Sequence, residues 1–311
     1  MSKSNKTLGI IFILLLVIVA LMYFTNSGKH ERSFRANLVN IDTSKVTQIT
    51  IYPKSHKNEP VELTKESGNW KVKKSNNKYA RVPEEKIKNL FRQIIAIKPK
   101  RLASREKKQW HSLEVDSTGS RVVVNEGSKK ALDIIIGKFS FHQPRSMSTF
   151  VRLNNDNNVY EVDGFLAMTF NTKADNFRNG TVIKGNTAEW NKLVFNYPAD
   201  SSFQIIKVNG KWNAGKFKID SAETAQYLTK LSRISSTQFL DDVDTTKLNN
   251  PVYSLTISSE NGKPITVSAY KDSTRMIVTS SLNPGTYFDY KNIGKRVFIH
   301  PNSLHPKKKK K

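Results

Sequence analysis

The chain contains 311 residues and no cysteine, and its 51 lysines and arginines against 26 acidic residues give a formal net charge of +25. The absence of cysteine excludes disulfides, thiolate nucleophiles and cysteine metal sites. The length allows one large or two ordinary domains. A surface this basic suits anions such as lipid headgroups, acidic polymers or nucleic acid, although lysines dispersed over solvated faces explain the same charge without a ligand.

An apolar run, Leu8–Phe24, is the first predicted element, and its seventeen residues include no charge and no proline. As a helix it spans about 25 Å, near the short limit for crossing a bilayer. A buried core helix and a cleaved secretory signal are the alternatives, but no Ala-x-Ala pattern follows for cleavage. We predict a transmembrane anchor at 8–24 after a cytoplasmic tail at 1–7, with the bulk of the chain extracytoplasmic, on the periplasmic side of the cell membrane.

A polar linker is predicted at 25–43, and alternation of apolar and polar residues begins after it. The segments VTQITIY and VELTK predict a pair of antiparallel strands, and Ser67-Gly68-Asn69 predicts a turn into a third strand at Trp70. Further along, RVVVNEG, KALDIIIG, TFVRLN and NVYEV also read as strands. The last two are joined by a turn rich in asparagine and aspartate.

Between these groups of strands the apolar period lengthens to that of a helix. Val82-Pro83-Glu84-Glu85 predicts its start, because proline and acidic residues favour the first helical turn, and Pro99 predicts its end. The apolar residues that recur on one face are Ile87, Leu90, Phe91, Ile94 and Ile95. We expect this helix to lie across one face of the sheet, because it has one apolar stripe to bury.

The same plan returns at Trp190, about 140 residues later. Asp220 is predicted to cap a second helix, whose apolar positions are Ala225, Leu228, Leu231 and Ile234. Strands are again predicted after it, with Asn261-Gly262 as a type I′ turn between the first two; their sequences are YSLTISS, PITVSAY, RMIVTS, TYFDY and RVFIHP. Leu90 and Leu228 are 138 residues apart, as are Leu102 and Leu240, so the register holds through both helices.

This repeat predicts an α+β fold class: two tandem similar domains of antiparallel sheet plus one main helix each, after the N-terminal transmembrane helix. The first α+β repeat is predicted at 44–178 and the second at 188–304. A basic disordered tail is predicted at 305–311, because its five consecutive lysines repel one another.

Motifs for catalysis, cofactors and metals lead to no assigned residue. Gly210–Lys216 has the spacing of a phosphate-binding loop, but Phe217 stands where a Ser or Thr is needed. The histidines form no zinc motif, Ser104 and Lys107 lack the companions of a serine–lysine enzyme, and the acidic segment Asp241–Asp244 lacks the closing glutamate of a calcium loop. We therefore predict no catalytic residue, no cofactor and no metal, although a glycosidase pair of carboxylates stays open because its spacing is three-dimensional.

Trp70 and Trp212 occupy equivalent places after a turn glycine. We interpret both as core anchors that fix a hairpin to a helix. A tryptophan that stacks on a sugar or binds a peptide is the alternative.

Several features together resemble the bacterial family called domain of unknown function 4340. They are the N-terminal anchor, the I-x-I-x-Y-P strand at Ile49–Pro53, the L-x-K-x-x-G-x-W hairpin at Leu63–Trp70, the helix at Pro83–Ile97 leading to Leu102, and the segment Ser148–Asn171. The resemblance implies an accessory extracytoplasmic role beside a membrane ABC transport system of the kind linked to gliding motility. It implies no catalytic residues.

The resulting hypothesis is a membrane-anchored, non-enzymatic accessory or interaction module with a protein partner such as a transporter subunit. The alternative is a basic binding protein for acidic envelope polymers or lipid headgroups, and an envelope hydrolase is a third possibility. No nucleic-acid partner is predicted, because no RNP-like motif, zinc finger or basic recognition helix occurs. The oligomeric state stays open.

Overall fold

The computed structural model describes residues 12–17, 35–56, 59–74, 77–142, 146–260, 262–272 and 274–306. Residues 12–17 of the predicted anchor are helical and exposed. The rest of that anchor, the predicted cytoplasmic tail, most of the linker and the five terminal lysines lie outside the described residues. None of the helices within the described ranges is both long and apolar enough to cross a bilayer.

Strands of three to fourteen residues build the first sheet. They are β1 (Val46–Tyr52), β2 (Val61–Glu66), β3 (Asn69–Lys73), β4 (Tyr79–Arg81), β5 (Pro99–Ser104), β6 (Ser120–Glu126), β7 (Lys129–His142), β8 (Ser146–Leu153) and β9 (Val159–Asp163). They form an antiparallel sheet of nine strands in the order β4-β3-β2-β1-β6-β7-β8-β9-β5. The pairing of β1 with β6 joins two meanders that are distant in sequence, and it leaves β4 at one edge.

The second half of the chain forms two further sheets. Their strands are β10 (Thr181–Lys184), β11 (Trp190–Asn196), β12 (Phe203–Val208), β13 (Lys211–Asn213), β14 (Arg233–Ser235), β15 (Tyr253–Ser259), β16 (Ile265–Lys271), β17 (Met276–Ser280) and β18 (Phe288–Asp289). One sheet pairs β10 with β14, and the other has the order β13-β12-β11-β15-β16-β17-β18. That order matches β3-β2-β1-β6-β7-β8-β9 strand for strand. The domain boundaries themselves stay a prediction.

Few helices accompany these sheets. They are α1 (Glu84–Ile95), α2 (Ala167–Phe170), α3 (Ser221–Leu231) and α4 (Gly294–Val297), and short 3-10 turns lie between other elements. Leu90 of α1 packs in the core of the nine-stranded sheet, and Leu228 of α3 packs in that of the seven-stranded sheet. Burying each leucine stabilises the fold by about 2 kcal/mol. The prediction of antiparallel sheets with few helices is confirmed.

The predicted hairpin turns have the backbone that their residues favour. Ser67 and Gly68 both have positive φ (48° and 81°), as do Asn209 and Gly210 (50° and 76°) in the second half. Two consecutive positive φ values are typical of a type I′ turn, whose twist matches that of the flanking strands. Asn261 of the predicted type I′ turn at Asn261-Gly262 lies outside the described residues.

Three details of the predicted helices are wrong. Ile95 is 48% exposed, because it lies about 80° around the helix from Ile87, at the margin of the apolar stripe. In α3 Ala225 is exposed and Thr224 is buried instead. The Thr224 hydroxyl donates to the carbonyl of Asp220 at 2.7 Å, so its burial leaves no polar group unpaired. Ile234 lies on β14 beyond the end of the helix.

Two predicted strands also differ from the structure. The segment RVFIHP forms no strand: α4 and a 3-10 turn at Pro301–Leu304 occupy this region. Gly294 permits the tight turn, because a Cβ there would lie 2.1 Å from Cζ of Tyr290. In the other case the predicted strand KALDIIIG continues to His142, five residues further.

Candidate functional site

A cleft of about 1200 Å³ opens between the nine-stranded sheet and the second half of the chain. One wall is the edge strand β4 with the start of α1, including Tyr79 and Arg81. The opposite wall is formed by residues 178–181 and Lys184, by the segment 235–238 after β14 and by the loop 282–286. We call this space the basic cleft, because five lysine or arginine residues and only one acidic residue are among the described residues that line it.

An ion-pair cluster joins the two walls at the base of this cleft. Arg178, 5% exposed, donates from its two terminal nitrogens to the two carboxylate oxygens of Asp241, at 2.8 and 2.9 Å. Lys74 reaches the same carboxylate at 2.9 Å, and the guanidinium lies 3.8 Å from the ring centroid of Phe239. Burial alone would raise the pKa of Asp241, but hydrogen bonds from Arg178 and Lys74 outweigh it and hold that pKa below its usual value.

Lys86 fixes α1 to the segment that contains Arg178. Its ammonium donates to the carbonyls of Asn176 and Arg178 at 2.6 and 2.7 Å. Burial lowers the pKa of this lysine, because the charged form loses water in the cleft wall. Three of the five basic side chains therefore build the cleft.

The other two basic side chains of the lining face the cleft. Arg81 and Lys184 are exposed, and within the part of the chain that the structure describes neither side chain enters a hydrogen bond or an ion pair. Glu85 is the acidic residue on the lining. The cleft thus presents uncompensated positive charge together with many amide and hydroxyl side chains.

A second feature is an exposed apolar patch on the hairpin of β7 and β8. Phe139 and Phe141 are two residues apart on β7, so their side chains lie on the same face of the strand. Met147 of β8 pairs with Phe141. The Phe165 ring makes an edge contact with Phe139 at 4.7 Å between centroids, and Met168 on the adjacent α2 is 75% exposed. We call these five residues the hairpin patch.

The tip of the hairpin extends beyond both neighbouring strands, and β9 pairs with β8 only as far as Ser148. The pairing of β6 with β7 ends at Ser120 and Ile136, so only β8 accompanies β7 beyond that point. Soluble proteins seldom expose a contiguous group of large apolar side chains without a binding role. Aromatic residues and methionine are also the types enriched in protein interfaces.

The phosphate-loop-like segment and the two tryptophans that the sequence analysis considered have structural roles. The segment Gly210–Lys216 forms a hairpin turn and a short strand, so it does not lead into a helix N-terminus as a phosphate loop must. Trp70 is buried against Phe91 of α1, with ring centroids 5.9 Å apart, and Trp212 packs at the second core. The interpretation as a core anchor that fixes a hairpin to a helix is confirmed for Trp70, whereas Trp212 is only partly buried against its core.

The acidic segment is divided among separate partners. Asp241 binds Arg178 and Lys74, Asp242 binds Arg275 at 2.9 Å, and Asp244 accepts from the backbone N–H of Thr246. Throughout the described ranges, no group of three histidine, aspartate or glutamate side chains is placed to hold a metal ion.

Sequence reasoning missed both surfaces. The alternation of Phe139 and Phe141 was a local signal that β7 continues past Gly137. No local signal marked the basic cleft, since Arg81 and Lys184 are 103 residues apart in the chain. Only the packing of the two halves brings them together.

These observations define a protein of mostly antiparallel sheets, with a basic cleft and an apolar hairpin. The chain belongs to the family described as Domain of unknown function (DUF4340), whose model matches residues 76–251. The match includes β4 and the segments 178–184 and 235–238, and so most of both cleft walls. No curated protein and no solved structure matches the chain.

Proposed function

We propose that this protein is a membrane-tethered, extracytoplasmic and non-enzymatic interaction module, whose hairpin patch contacts a protein subunit of a membrane transport system. The observation that carries the proposal is the hairpin patch itself. Its three phenylalanines and two methionines are between 36% and 75% exposed, and burying this apolar surface against a partner is favourable. We further propose that the two large sheets are copies of one α+β unit, which their matching strand order supports.

The tether in this proposal is the apolar run Leu8–Phe24. Its seventeen uncharged residues favour a bilayer, and the linker of nineteen residues behind it reaches at most about 65 Å when extended. A body held this close to the membrane encounters membrane proteins at high effective concentration. The full chain should therefore stay with membranes in a high-salt wash, whereas a chain lacking residues 1–24 should be released. Release of the full chain would contradict the tether.

The absence of cysteine permits a sharp test of the contact. Met168→Cys introduces one thiol into the hairpin patch. Val208→Cys is the control, because it introduces one thiol at an exposed apolar position of β12, outside the hairpin patch. Each full-length variant is treated in native membranes with a thiol-directed photo-crosslinker, and the attached proteins are identified. We expect Met168→Cys to yield one dominant adduct with a transporter subunit and Val208→Cys to yield none.

A second substitution separates specific docking from chance proximity. Phe141→Ser in the Met168→Cys background should abolish the adduct while leaving the circular dichroism spectrum unchanged, because Phe141 is 55% exposed and contributes little to the core. Equal adducts from positions 168 and 208, or adducts with lipid alone, would contradict the proposal.

A further inference from the structure

We infer that the basic cleft binds an acidic oligosaccharide, that is, a hydroxyl-rich chain that carries carboxylates. The inference goes beyond the hairpin contact and does not depend on it. It rests on the charge of the cleft lining, on its neutral polar groups, on one exposed aromatic ring and on its size.

The charge selects an anion. Arg81 on one wall and Lys184 on the other are exposed, and inside the described ranges no side-chain partner satisfies either of them. A guanidinium binds a carboxylate through two parallel hydrogen bonds, which an ammonium on the opposite wall can supplement. Because Asp241 is already engaged by Arg178 and Lys74, it does not cancel these two charges.

The neutral lining suits hydroxyl groups. Side-chain amides and hydroxyls line the cleft on the second-half wall, among them Asn179, Thr181, Thr237 and Gln238. Such groups both donate and accept, as sugar hydroxyls do. A ligand that carries charge but no hydroxyl groups would make no hydrogen bonds of this kind with these side chains.

Tyr79 adds an apolar platform. It is the aromatic residue among the described residues that line the cleft, and it is 49% exposed. It lies on the edge strand β4 two residues before Arg81, so both side chains project from the same face of the strand. The face of a tyrosine ring can cover the apolar face of a sugar ring while Arg81 reaches the carboxylate.

The size of the cleft indicates a chain of several sugars. About 1200 Å³ exceeds the range of about 300–1000 Å³ that is usual for small-molecule pockets. A nucleic acid strand is the less suitable occupant, because grooves for single strands stack successive bases on several aromatic side chains. The cleft offers Tyr79 alone among its described aromatic residues.

The test uses the full chain in detergent and titration calorimetry with three probes: a hexamer of galacturonate, a neutral maltohexaose and a linear polyphosphate of the same charge. We expect galacturonate to bind with an affinity that falls as salt is added, and we expect maltohexaose to show no binding. Polyphosphate should bind at least about tenfold more weakly, because it lacks hydroxyls for the amide groups and a face for Tyr79.

Matched variants locate the site. Arg81→Gln/Lys184→Gln should weaken galacturonate binding about tenfold or more. Lys129→Gln/Lys211→Gln removes equal charge from the exposed first residues of β7 and β13, outside the cleft, and should change binding less than about twofold. Tyr79→Ala should weaken galacturonate but not polyphosphate. No galacturonate binding, equal binding of polyphosphate, or equal loss in both double variants would overturn the inference.

Discussion

Removing either partner of the Arg178–Asp241 ion pair should destabilise the protein by about 3–5 kcal/mol, since a buried charge then loses its counterion. Arg178 is 5% and Asp241 20% exposed in the side chain, so water replaces little of the lost interaction. Arg178→Met leaves Asp241 with Lys74, so its effect should fall near the lower end of that range. Asp241→Leu leaves Arg178 with the half-exposed Asp175 but also takes the carboxylate from Lys74, so its effect should be the larger of the two.

The double variant is the decisive measurement. Arg178→Met/Asp241→Leu replaces the pair by apolar groups, which is often nearly neutral in other proteins. We expect it to be less destabilised than the sum of the single variants by about 1–3 kcal/mol. Urea unfolding of the full chain in detergent measures this, with tryptophan fluorescence reporting on both cores through the buried Trp70 and Trp190.

An exposed pair provides the control. Lys100 and Asp163 lie 3.0 Å apart with side chains 52% and 72% exposed, so Lys100→Met should change the unfolding free energy by less than about 1 kcal/mol. If the two substitutions at Arg178 and Asp241 are additive, or no worse than Lys100→Met, the cluster does not fix the two walls of the basic cleft as argued.

Other substitutions test the cores, a helix start and the acid response. Leu90→Ala and Leu228→Ala, at matching places in the two cores, should each cost about 2–5 kcal/mol in urea unfolding. Asp220→Ala removes the carboxylate that accepts two backbone N–H groups at the start of α3, and should cost about 1 kcal/mol in the same assay. Burial tends to raise the pKa of Asp116, but hydrogen bonds from Thr118 outweigh it and lower the pKa to about 2. The stabilisation from this carboxylate is therefore complete above pH 3.8 and is lost as the pH falls towards 2. Over that interval the unfolding free energy of the wild type should fall by more than that of Asp116→Asn. Urea unfolding at each pH measures both.

Local patterns predicted most of the secondary structure because local physics decides it. The alternation in β1 predicted the burial of Ile49 and Ile51 on one face, and Asp220 caps α3 as its position before an amphipathic segment indicated. The segment RVFIHP has β-branched and aromatic residues typical of a strand, but contacts made elsewhere in the chain decide its shape. Val297 and Phe298 are buried in the second core, and Tyr290 packs on Gly294, so the chain turns there.

The functional surfaces were less accessible to sequence reasoning. The pairing of β1 with β6 across about 70 residues sets the edge strand, and that edge places Tyr79 and Arg81 in the basic cleft. Periodicity within a segment carries no information about which distant segment faces it. The acidic segment shows the same limit, because its role in joining the two walls depends on Arg178, 63 residues earlier.

The length of the hairpin has a mechanical consequence. β6 leaves β7 at Ile136 and β9 leaves β8 at Ser148, so only the last described pairs, Phe141 with Met147 and His142 with Ser146, have no third strand beside them. A ribbon of two strands resists bending weakly, since no neighbouring strand shares the load. Two residues at about 3.4 Å each give an unsupported tip of about 7 Å, so only the end that carries Phe141 and Met147 can bend to follow a moving subunit while the sheet behind it keeps its shape.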